Sequence, residues 1–501
     1  MSIAPAAATD VSGGASLGTP RYRLYVLLVL TAVYTLNFID RNLLSVIAQP
    51  IINEFKLSDA QYGFLNGPPF AIFYALMGIP IAMAADRYNR VVIVALCISV
   101  WSVMAAMCGF ATSFLFLLIA RIGVAVGEAG GTPPSNSIIG DYFKPKSRAN
   151  ALAIFAMGVT IGGALSNFFG GPIARNLNGA TMKAFFENLG WDWAVNMTDW
   201  TQVEGWRLAF IVIGAPGILL ALILLFTVKE PPRGFSDPPG TVRGQRSSML
   251  ETLKELGPKP TFWTMSLGAA LVALVGYGLV AFQAPMAQRL HGIDPGTFAL
   301  QFGGPLAIFS AAGTFLGGFL VDRFSHRLNT AVSLVPVMGM LLAVPLYIFA
   351  YYQPTENLYS VGRPVWCIGA MFHYMYLGSQ YTIGQGVVSQ RSRASAVAIL
   401  LLIIALIGNG IGPLFTGALS DMFMGIELNG GGYGGVLSLD LCRNAAEVAH
   451  LPPDQQAACA AAYGNGLRSS MVATALVFLP AALFFFLSSL TLKKDMIAAT
   501  H

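Results

Sequence analysis

The chain has 501 residues, of which 55% are hydrophobic and only 11% are charged, and its formal net charge is +5. Because a soluble domain carries about 25% charged residues, this composition excludes an ordinary soluble protein and indicates a polytopic membrane protein. The small positive excess does not indicate nucleic-acid binding. The sequence contains no phosphate-binding loop, no Cys/His metal-ligand spacing and no credible catalytic triad, so we expect neither an enzyme nor a bound cofactor or metal.

The first 20 residues are rich in Ala, Ser, Gly and Thr and contain no Lys or Arg. A secretory signal needs a basic segment ahead of a short apolar one, so we expect residues 1–20 to form a disordered tail before an uncleaved first transmembrane helix. Twelve stretches reach the roughly 20 residues that a spanning helix needs. They lie near residues 24–48, 62–85, 91–111, 114–138, 149–171, 206–228, 260–288, 298–320, 329–351, 364–388, 394–419 and 467–491.

The distribution of Lys and Arg predicts the orientation, because cytoplasmic loops are enriched in these residues. Nineteen of the 29 lie in loops on one side and eight on the other, with Arg41 and Arg121 inside spans. This puts both termini in the cytoplasm, and the short termini and loops indicate a bacterial inner membrane. The loop 229–259 separates six spans from six, and a short amphipathic helix is predicted within it from Met249 to Leu256. We therefore divide the chain into a cytoplasmic tail 1–20, a six-helix bundle 21–228, a linker 229–259, a second bundle 260–492 and a tail 493–501.

The two halves resemble each other in sequence. Asp86-Arg87 closes span two and Asp322-Arg323 closes span eight, at an offset of 236 residues. The segments 147–154 (SRANALAI) and 392–399 (SRASAVAI) match at six of eight positions, at an offset of 245. Two matches at similar offsets indicate a duplicated six-helix unit, and such repeats are a signature of secondary transporters.

Four charged residues lie well inside the predicted spans, all in the first half: Asp40, Arg41, Arg121 and Glu128. One charge at the bilayer centre costs about 2.5–3.5 kcal/mol, so the four must face one another or water. A rise of about 1.5 Å per residue puts Asp40 and Arg121 nearly level. Glu128 projects from the same face as Arg121, about 10 Å nearer the cytoplasm. Arg41 is turned about 100° from Asp40, so the two cannot face one target; Arg41 and its neighbour Asn37 are candidate cavity or substrate residues.

Arg121 is therefore predicted within reach of both acids, and this arrangement can couple a proton to a conformational change. Burial raises the pKa of a carboxylate and a nearby Arg lowers it, whereas Arg itself stays charged. If Arg121 moves between Asp40 and Glu128 as a cavity opens and closes, the acid that loses its cation takes up a proton. Two other interpretations stay open: a static ion network that only holds helices one and four together, and direct substrate binding by these groups.

Twelve spans, the Asp-Arg motifs after spans two and eight, and Gly205-Trp206-Arg207 at the start of span six resemble the major facilitator superfamily. The resemblance covers nearly the whole chain and implies an all-α membrane fold, in which two six-helix bundles rock around a central cavity. In that family the motif Asp86-Arg87-x-x-Arg90 contacts span eleven and stabilises the outward-facing state, and a carboxylate there can cap the positive end of a helix. Asp322 and Arg323 repeat this gating motif. An ordinary positive-inside loop is the alternative.

The stretches Asn37-Phe38-Ile39-Asp40-Arg41 and 121–129 (RIGVAVGEA), together with residues 86–90, resemble the spinster family. Spinster-like proteins are linked to export of lysophospholipids and sphingosine-1-phosphate, with proton coupling assigned to an Asp on the first helix and a Glu on the fourth. The resemblance implies that these roles fall on Asp40 and Glu128, with Arg121 as the cation. Residues 158–171 match the Gly-Pro motif of drug antiporters only loosely, which weakens an assignment to drug efflux.

Spans seven to twelve contain no charged residue well inside them, and their polar side chains include Gln283, His373 and Tyr374. This asymmetry suits an amphiphile, whose head needs polar groups and whose tail needs an apolar wall. Gln283, His373 and Tyr374 are candidate cavity residues, with a helix–helix hydrogen bond the alternative for His373 and helix packing for Tyr374. Cys442 and Cys459 share the outer loop 421–466 on an oxidising face, so we expect a disulfide between them.

We expect a proton-coupled transporter that exports amphipathic, lipid-like molecules by alternating access, as a monomer in the bilayer with protons as the coupling ion. A facilitator for another small organic solute, such as an organic anion, is the alternative. The buried titratable residues and repeated motifs argue against a non-transporting receptor. The pair of acids argues against a lipid scramblase, because a passive path does not need it.

Overall fold

The computed structural model describes residues 18–235, 249–328 and 330–497. Residues 1–17 of the predicted N-terminal tail, 236–248 of the linker and 498–501 of the C-terminal tail lie outside the described residues. Within the described ranges the chain is helical and contains no β-strand. The prediction of an all-α fold is confirmed.

Twelve helices have the length of a membrane crossing. In chain order, α1 to α12 are Pro20–Val46, Asp59–Arg87, Arg90–Gly109, Phe114–Tyr142, Asn150–Asn176, Gly205–Thr227, Pro260–His291, Pro295–Ser325, Ala331–Tyr351, residues 363–386, Arg393–Gly430 and Pro453–Asp495. Shorter helices cover Ala48–Phe55, Gly179–Asn188, Asp192–Val195, Met249–Leu256, Leu439–Arg443 and Ala445–Val448.

Eleven of the described helices are long and apolar enough to cross a membrane by length and composition, and α10 is not among them. It consists of Arg363–His373 and Leu377–Gly386 joined by the 3-10 turn Tyr374–Tyr376, and its polar side chains lower its mean hydropathy. It still runs the full length of the bundle. Trp366 packs on Tyr351 at the end of α9, whereas the carbonyl of Gly386 accepts a hydrogen bond from Ile497 beyond α12.

Short polar residues begin several helices where local physical chemistry places them. The side chain of Thr19 accepts from the backbone N–H of Tyr22, and Pro20 follows at the first helical position, where its missing N–H costs nothing. Ser58 and Gln61 form a capping box at the start of α2. Asn89 caps α3, so the sharp turn between α2 and α3 needs only two residues.

Four helices contain a π-helical segment just before a proline. The segments are Ser166–Gly170 in α5, Ala299–Gly303 in α8, Leu358–Gly362 ahead of α10 and Ala405–Ile411 in α11. Pro172, Pro305, Pro364 and Pro413 each follow within two residues. A proline lacks an N–H and its ring displaces the carbonyl four residues earlier, and the wider π turn accommodates that displaced carbonyl.

The two halves, α1–α6 and α7–α12, meet mainly at one end of the bundle. We call the end that carries Pro20 and Asp495 the termini end, and the end that carries Asp59 and Asp421 the loop end. In the described part of the chain, every hydrogen bond and ion pair between the halves lies toward the loop end. Gly63 of α2 packs directly on Pro413 of α11, leaving no room for a Cβ. The structure is therefore closed at the loop end.

The predicted helix in the linker is confirmed as Met249–Leu256, and it packs on the second half. Glu255 accepts hydrogen bonds from the backbone N–H of Ser389 at 2.6 Å and from Oγ of Ser392 at 2.5 Å, both in the α10–α11 loop. Partial burial alone would raise the pKa of Glu255, but these hydrogen bonds outweigh it and hold that pKa below its usual value.

The predicted outer loop 421–466 is largely helical, which corrects its boundaries. Helix α11 continues to Gly430 and α12 already begins at Pro453. The segment 457–462 (AACAAA) has a high helix propensity, so the helix extends beyond the apolar stretch from which the span was predicted.

The tight contact between α2 and α11 makes a testable prediction. A Cβ at Gly417 would overlap the backbone carbonyl of Asp59, whereas a Cβ at Gly425 on the same helix would meet nothing within 4 Å. We expect Gly417→Val to prevent closure of the loop end and to increase the population in which the halves are apart there. Double electron–electron resonance between spin labels on the two halves measures this. Gly425→Val is the matched control, and the same distance distribution in both variants would contradict the prediction.

Candidate functional site

Asp40 and Arg121 form an ion pair at the centre of the first half. Asp40 lies on α1 and Arg121 on α4, with 3.7 Å between Oδ2 of the carboxylate and Nη1 of the guanidinium. Both side chains are 1% exposed. The depth estimate placed these residues level, and the structure brings them together.

Glu128 pairs with Arg41, which the sequence reasoning did not anticipate. Arg41 donates from Nη2 to Oε2 of Glu128 at 2.6 Å and from Nε to the same oxygen at 3.0 Å. The side chain of Glu128 is fully buried and that of Arg41 is 18% exposed. In this conformation each acid has its own cation, so the expectation that Arg121 is the cation of both acids needs correction.

The direction of helical side chains explains this pairing. Side chains lean toward the N-terminus of their own helix, and α1 runs from the termini end to the loop end. Arg41 therefore leans toward the termini end, where Glu128 lies, whereas Arg121 on the oppositely directed α4 leans toward the level of Asp40. A sequence argument that used side-chain direction as well as depth could have found both pairs.

Aromatic rings of α2 contact both cations. The centroid of Phe70 lies 4.9 Å from Cζ of Arg41 and 5.5 Å from Cζ of Arg121. Phe38 and Tyr74 add contacts to Arg41 at 4.9 and 5.2 Å. These cation–π contacts stabilise the guanidinium groups in an apolar setting. Phe70 and Tyr74 are four residues apart on one helix face, but no sequence pattern indicates that this face contacts the charged groups.

Several atoms of the four charged groups lack a hydrogen bond to the described part of the chain. They are both carboxylate oxygens of Asp40, Nε and Nη1 of Arg121, and Oε1 of Glu128. Buried ions with incomplete hydrogen bonding are costly, and a pair kept only for stability would be better satisfied. The two acids therefore differ: the carboxylate of Asp40 makes no hydrogen bond within the described chain, whereas Glu128 accepts two from Arg41 through Oε2.

The other candidate cavity residues differ in position. Asn37 is buried and lines a narrow crevice beside Glu128. Gln283 and Tyr374 are half-buried on α7 and α10. His373 is buried, with Nδ1 3.2 Å from the hydroxyl of Tyr347 on α9, so the structure favours the helix–helix hydrogen bond over a cavity role for this residue.

A second group of charges lies at the loop end, and the sequence reasoning missed it. Asp59 at the start of α2 receives two hydrogen bonds from Arg289 of α7, both at 2.7 Å, and a third from Ser420 at 2.6 Å. Asp421 of α11 accepts from the backbone N–H groups of Asp59 and Ala60 at 3.1 and 3.0 Å. Acids are favourable at a helix N-terminus, so Asp421 joins α11 to α2.

Arg443 completes this group by donating to Asp421 at 2.6 Å. We call Asp59, Arg289, Asp421 and Arg443 the loop-end cluster. The pair of Asp59 and Arg289 is at most 3% exposed, which corrects the expectation that the spans of the second half hold no charge. The correction arises because α7 continues to His291, beyond the predicted boundary at residue 288.

The gating motifs lie at the termini end and are exposed. Asp86 and Arg87 at the end of α2 are exposed, as are Asp322 and Arg323 at the end of α8. Arg90 behaves differently. It is buried and donates to Asp141 at 2.6 Å and to Glu230 at 2.7 Å, so it joins α3 to α4 and to the segment after α6.

The predicted disulfide is present in the structure. Cys442, next to Arg443, is joined to Cys459 of α12. Both cysteines are buried against Met424, Leu428 and Leu437.

Comparisons with known proteins agree with this architecture. The family model described as "Major Facilitator Superfamily" matches residues 30–413. A crystal structure titled as a bacterial homolog of the human lysosomal transporter spinster, inward-facing and unoccupied, is 51% identical with a TM-score of 0.90, over 96% of this chain and 100% of that one. An MFS-type efflux pump of Mycolicibacterium smegmatis is 30% identical over 83% of this chain and 89% of its own. Protein spinster of Drosophila melanogaster is 25% identical over 81% of this chain and 63% of its own.

The chain therefore belongs to the major facilitator superfamily, the class of multi-pass membrane transporter that its two six-helix halves define. Within that superfamily it is a member of the spinster family.

The pairing of Arg41 with Glu128 can be tested through stability. Removing one partner of a buried pair costs about 3–5 kcal/mol because the other charge is left uncompensated. We expect Arg41→Gln to lower the thermal stability of the detergent-solubilised protein, and Glu128→Gln in the same chain to restore most of it, as followed by tryptophan fluorescence. Lys183→Gln, in an exposed pair with Glu187, is the control with little effect. Failure of the second substitution to restore stability would contradict the pairing.

Proposed function

We propose that the protein is a proton-coupled secondary active transporter that exports amphipathic, lipid-like substrates of the lysophospholipid or sphingosine-1-phosphate type by alternating access. The observation that carries the proposal is the pair of buried, incompletely hydrogen-bonded ion pairs on α1 and α4. Ion pairs buried this deeply would lower the stability of the protein if their role were only structural. Ionisable groups inside a membrane bundle typically serve ion or proton transport.

Arg41 supplies the link between protons and movement of the halves. It is the partly exposed member of the four charges, and Tyr277 of α7 lies within its electrostatic range. Movement of the second half past the first therefore changes the surroundings of Arg41 and, through their shared hydrogen bonds, those of Glu128. The carboxylate that loses its cation takes up a proton, because an isolated buried charge is far costlier than a neutral acid.

The same surroundings suit an amphiphilic substrate. Arg41 offers a cation to an anionic head group, with Phe38, Phe70 and Tyr74 as an apolar wall around it. The second half contributes the half-buried Gln283 and Tyr374 as candidate cavity residues, and these are few hydrogen-bond partners for a sugar. The resemblance of residues 37–41 and 121–129 to the spinster family, which implies a lipid-like substrate, agrees with this choice.

We further propose that the termini end faces the cytoplasm of a bacterial inner membrane, because 19 of the 29 Lys and Arg residues lie in loops on that side. With this orientation the closed loop end makes the present structure inward-facing, as the related crystal structure is titled. The loop-end cluster then serves as the outer gate.

The proposal predicts the outcome of transport in proteoliposomes with an imposed pH gradient. Asp40→Asn and Glu128→Gln should each abolish gradient-driven movement of a labelled lysophospholipid, because neither variant can exchange a proton, while the protein still folds. Glu187→Gln changes an exposed carboxylate and should transport like wild type. Proton dependence equal to wild type in either site variant would remove that residue from the mechanism.

The same assay decides between the functions. Gradient-driven movement of hydrophilic organic anions alone would favour the alternative that the exposed side of Arg41 suggests, a facilitator for small anions. Lipid movement that ignores the gradient would indicate a scramblase, and movement of no substrate a receptor.

The gating motif at the termini end gives a separate prediction. Asp86 is exposed in this structure, and we propose that it caps the start of α11 when the termini end closes. Asp86→Asn should leave the stability of the inward-facing form unchanged and should slow transport, because the outward-facing state loses a favourable charge at a helix N-terminus. Thermal unfolding and initial transport rates measure the two effects. A stability loss without a change in rate would contradict the gating role.

A further inference from the structure

The loop-end cluster brings charges from both halves together in unequal numbers. The first half contributes one carboxylate, Asp59, whereas the second contributes Asp421 and the cations Arg289 and Arg443. The carboxylate of Asp421 accepts from the backbone N–H of Asp59 at 3.1 Å, so closing the loop end brings the carboxylate of Asp59 into the same cluster as that of Asp421. Like charges in one cluster repel unless cations lie beside them.

Arg443 supplies a second cation beside Arg289. Arg289 donates to both oxygens of Asp59 and, through Nε at 2.8 Å, to Gln49, and in the described part of the chain no hydrogen bond joins it to Asp421. Arg443 pairs with Asp421 at 2.6 Å and with the exposed Asp440 of its own short helix at 3.0 Å, and its charge also acts on Asp59. Without Arg443, Asp59 and Asp421 would share the one cation Arg289.

The attraction between Arg443 and Asp59 exists only when the loop end is closed. Both Arg443 and Asp421 belong to the second half, so their own pair persists when the halves separate. Asp59 leaves with the first half. The contribution of Arg443 is therefore specific to one conformation, which is the condition for a group to shift a conformational equilibrium.

The disulfide fixes the position of Arg443. The short helix Leu439–Arg443 lies in the connection between α11 and α12 and is capped by Ser438. Cys442, one residue before Arg443, is bonded to Cys459 on the rigid α12, and the guanidinium end is held so that the side chain is only 6% exposed. Without the bond, this five-residue helix would be held only by the small apolar cluster around Met424, Leu428 and Leu437 and by the ion pairs of Arg443.

We propose that Arg443 is a positioning residue for the outer gate and that the Cys442–Cys459 disulfide holds it there, so that this loop sets the equilibrium between the closed and open loop end. The inference rests on the alternating access of the proposed function. It does not depend on the identity of the substrate or on proton coupling.

The test measures the equilibrium directly in nanodiscs. Spin labels at Lys183→Cys in the first half and Glu356→Cys in the second, both exposed at the loop end, report separation of the halves by double electron–electron resonance. Cys97, Cys108 and Cys367 are replaced by Ala in every sample. We expect Arg443→Gln, and separately Cys442→Ser with Cys459→Ser, to raise the ratio of open to closed loop ends at least about fivefold, in the range of typical conformational couplings.

Two further variants separate positioning from a general structural role. Arg443→Lys keeps the charge and should return the ratio toward that of the parent protein. Arg468→Gln removes a cation from the same end of α12 that contacts only the second half, through Asn465 and Tyr352, and should leave the ratio unchanged. An unchanged ratio in Arg443→Gln or in the double Ser variant, or equal shifts in Arg443→Gln and Arg443→Lys, would overturn the proposal.

Gly417→Val distinguishes failure of this inference from failure of alternating access. If Gly417→Val shifts the distances and the Arg443 variants do not, the role of Arg443 is rejected and alternating access stands. If every variant, including Gly417→Val, shows the same single spin-label distance, both the role of Arg443 and alternating access are rejected.

Discussion

The cost of burying charge in an apolar bundle determines how this molecule is arranged. The central ion pairs and the loop-end cluster, like the buried pair of Arg90 with Asp141 at the termini end, join charges of opposite sign. The pairs differ in how well they are satisfied. Asp59 has three hydrogen bonds from Arg289 and Ser420, whereas the oxygens of Asp40 have none from the described chain. The loop-end cluster is therefore a well-satisfied contact between the halves, whereas the central ion pairs leave hydrogen-bonding capacity unused.

Helix α2 connects these two places physically. Its first residue, Asp59, belongs to the loop-end cluster, and Gly63 lies against α11. Further along the helix, Phe70 contacts both central cations, and the far end carries the exposed Asp86. A displacement of α2 thus reaches the loop-end cluster, the central ion pairs and the motif at the termini end together. A change at any one of these three places can therefore be transmitted to the other two.

Much of this organisation could be predicted from the sequence, and the features that could not be predicted share identifiable physical reasons. The helical rise per residue predicted that Asp40 and Arg121 lie at the same depth. Local amphipathicity predicted the helix Met249–Leu256. The pairing of Arg41 with Glu128 needed side-chain direction as well as depth. The loop-end cluster could not be found by periodicity, because Asp59 and Arg289 are 230 residues apart and each lies at a helix end that the apolar pattern does not locate. Helix α10 fails the apolar criterion because it contains many polar residues, of which His373, Ser379 and Gln380 are buried within the protein.

The four π-helical segments have a mechanical consequence. Each precedes a proline and interrupts the regular ladder of backbone hydrogen bonds, within α5, α8 and α11 or just ahead of α10, and such interruptions are where long helices bend. In α5, α8 and α11 the interruption lies next to the surface on which the two halves touch. The parts of these helices nearer the loop end can therefore tilt independently of the remainder, so that the contact between the halves can adjust by local bending.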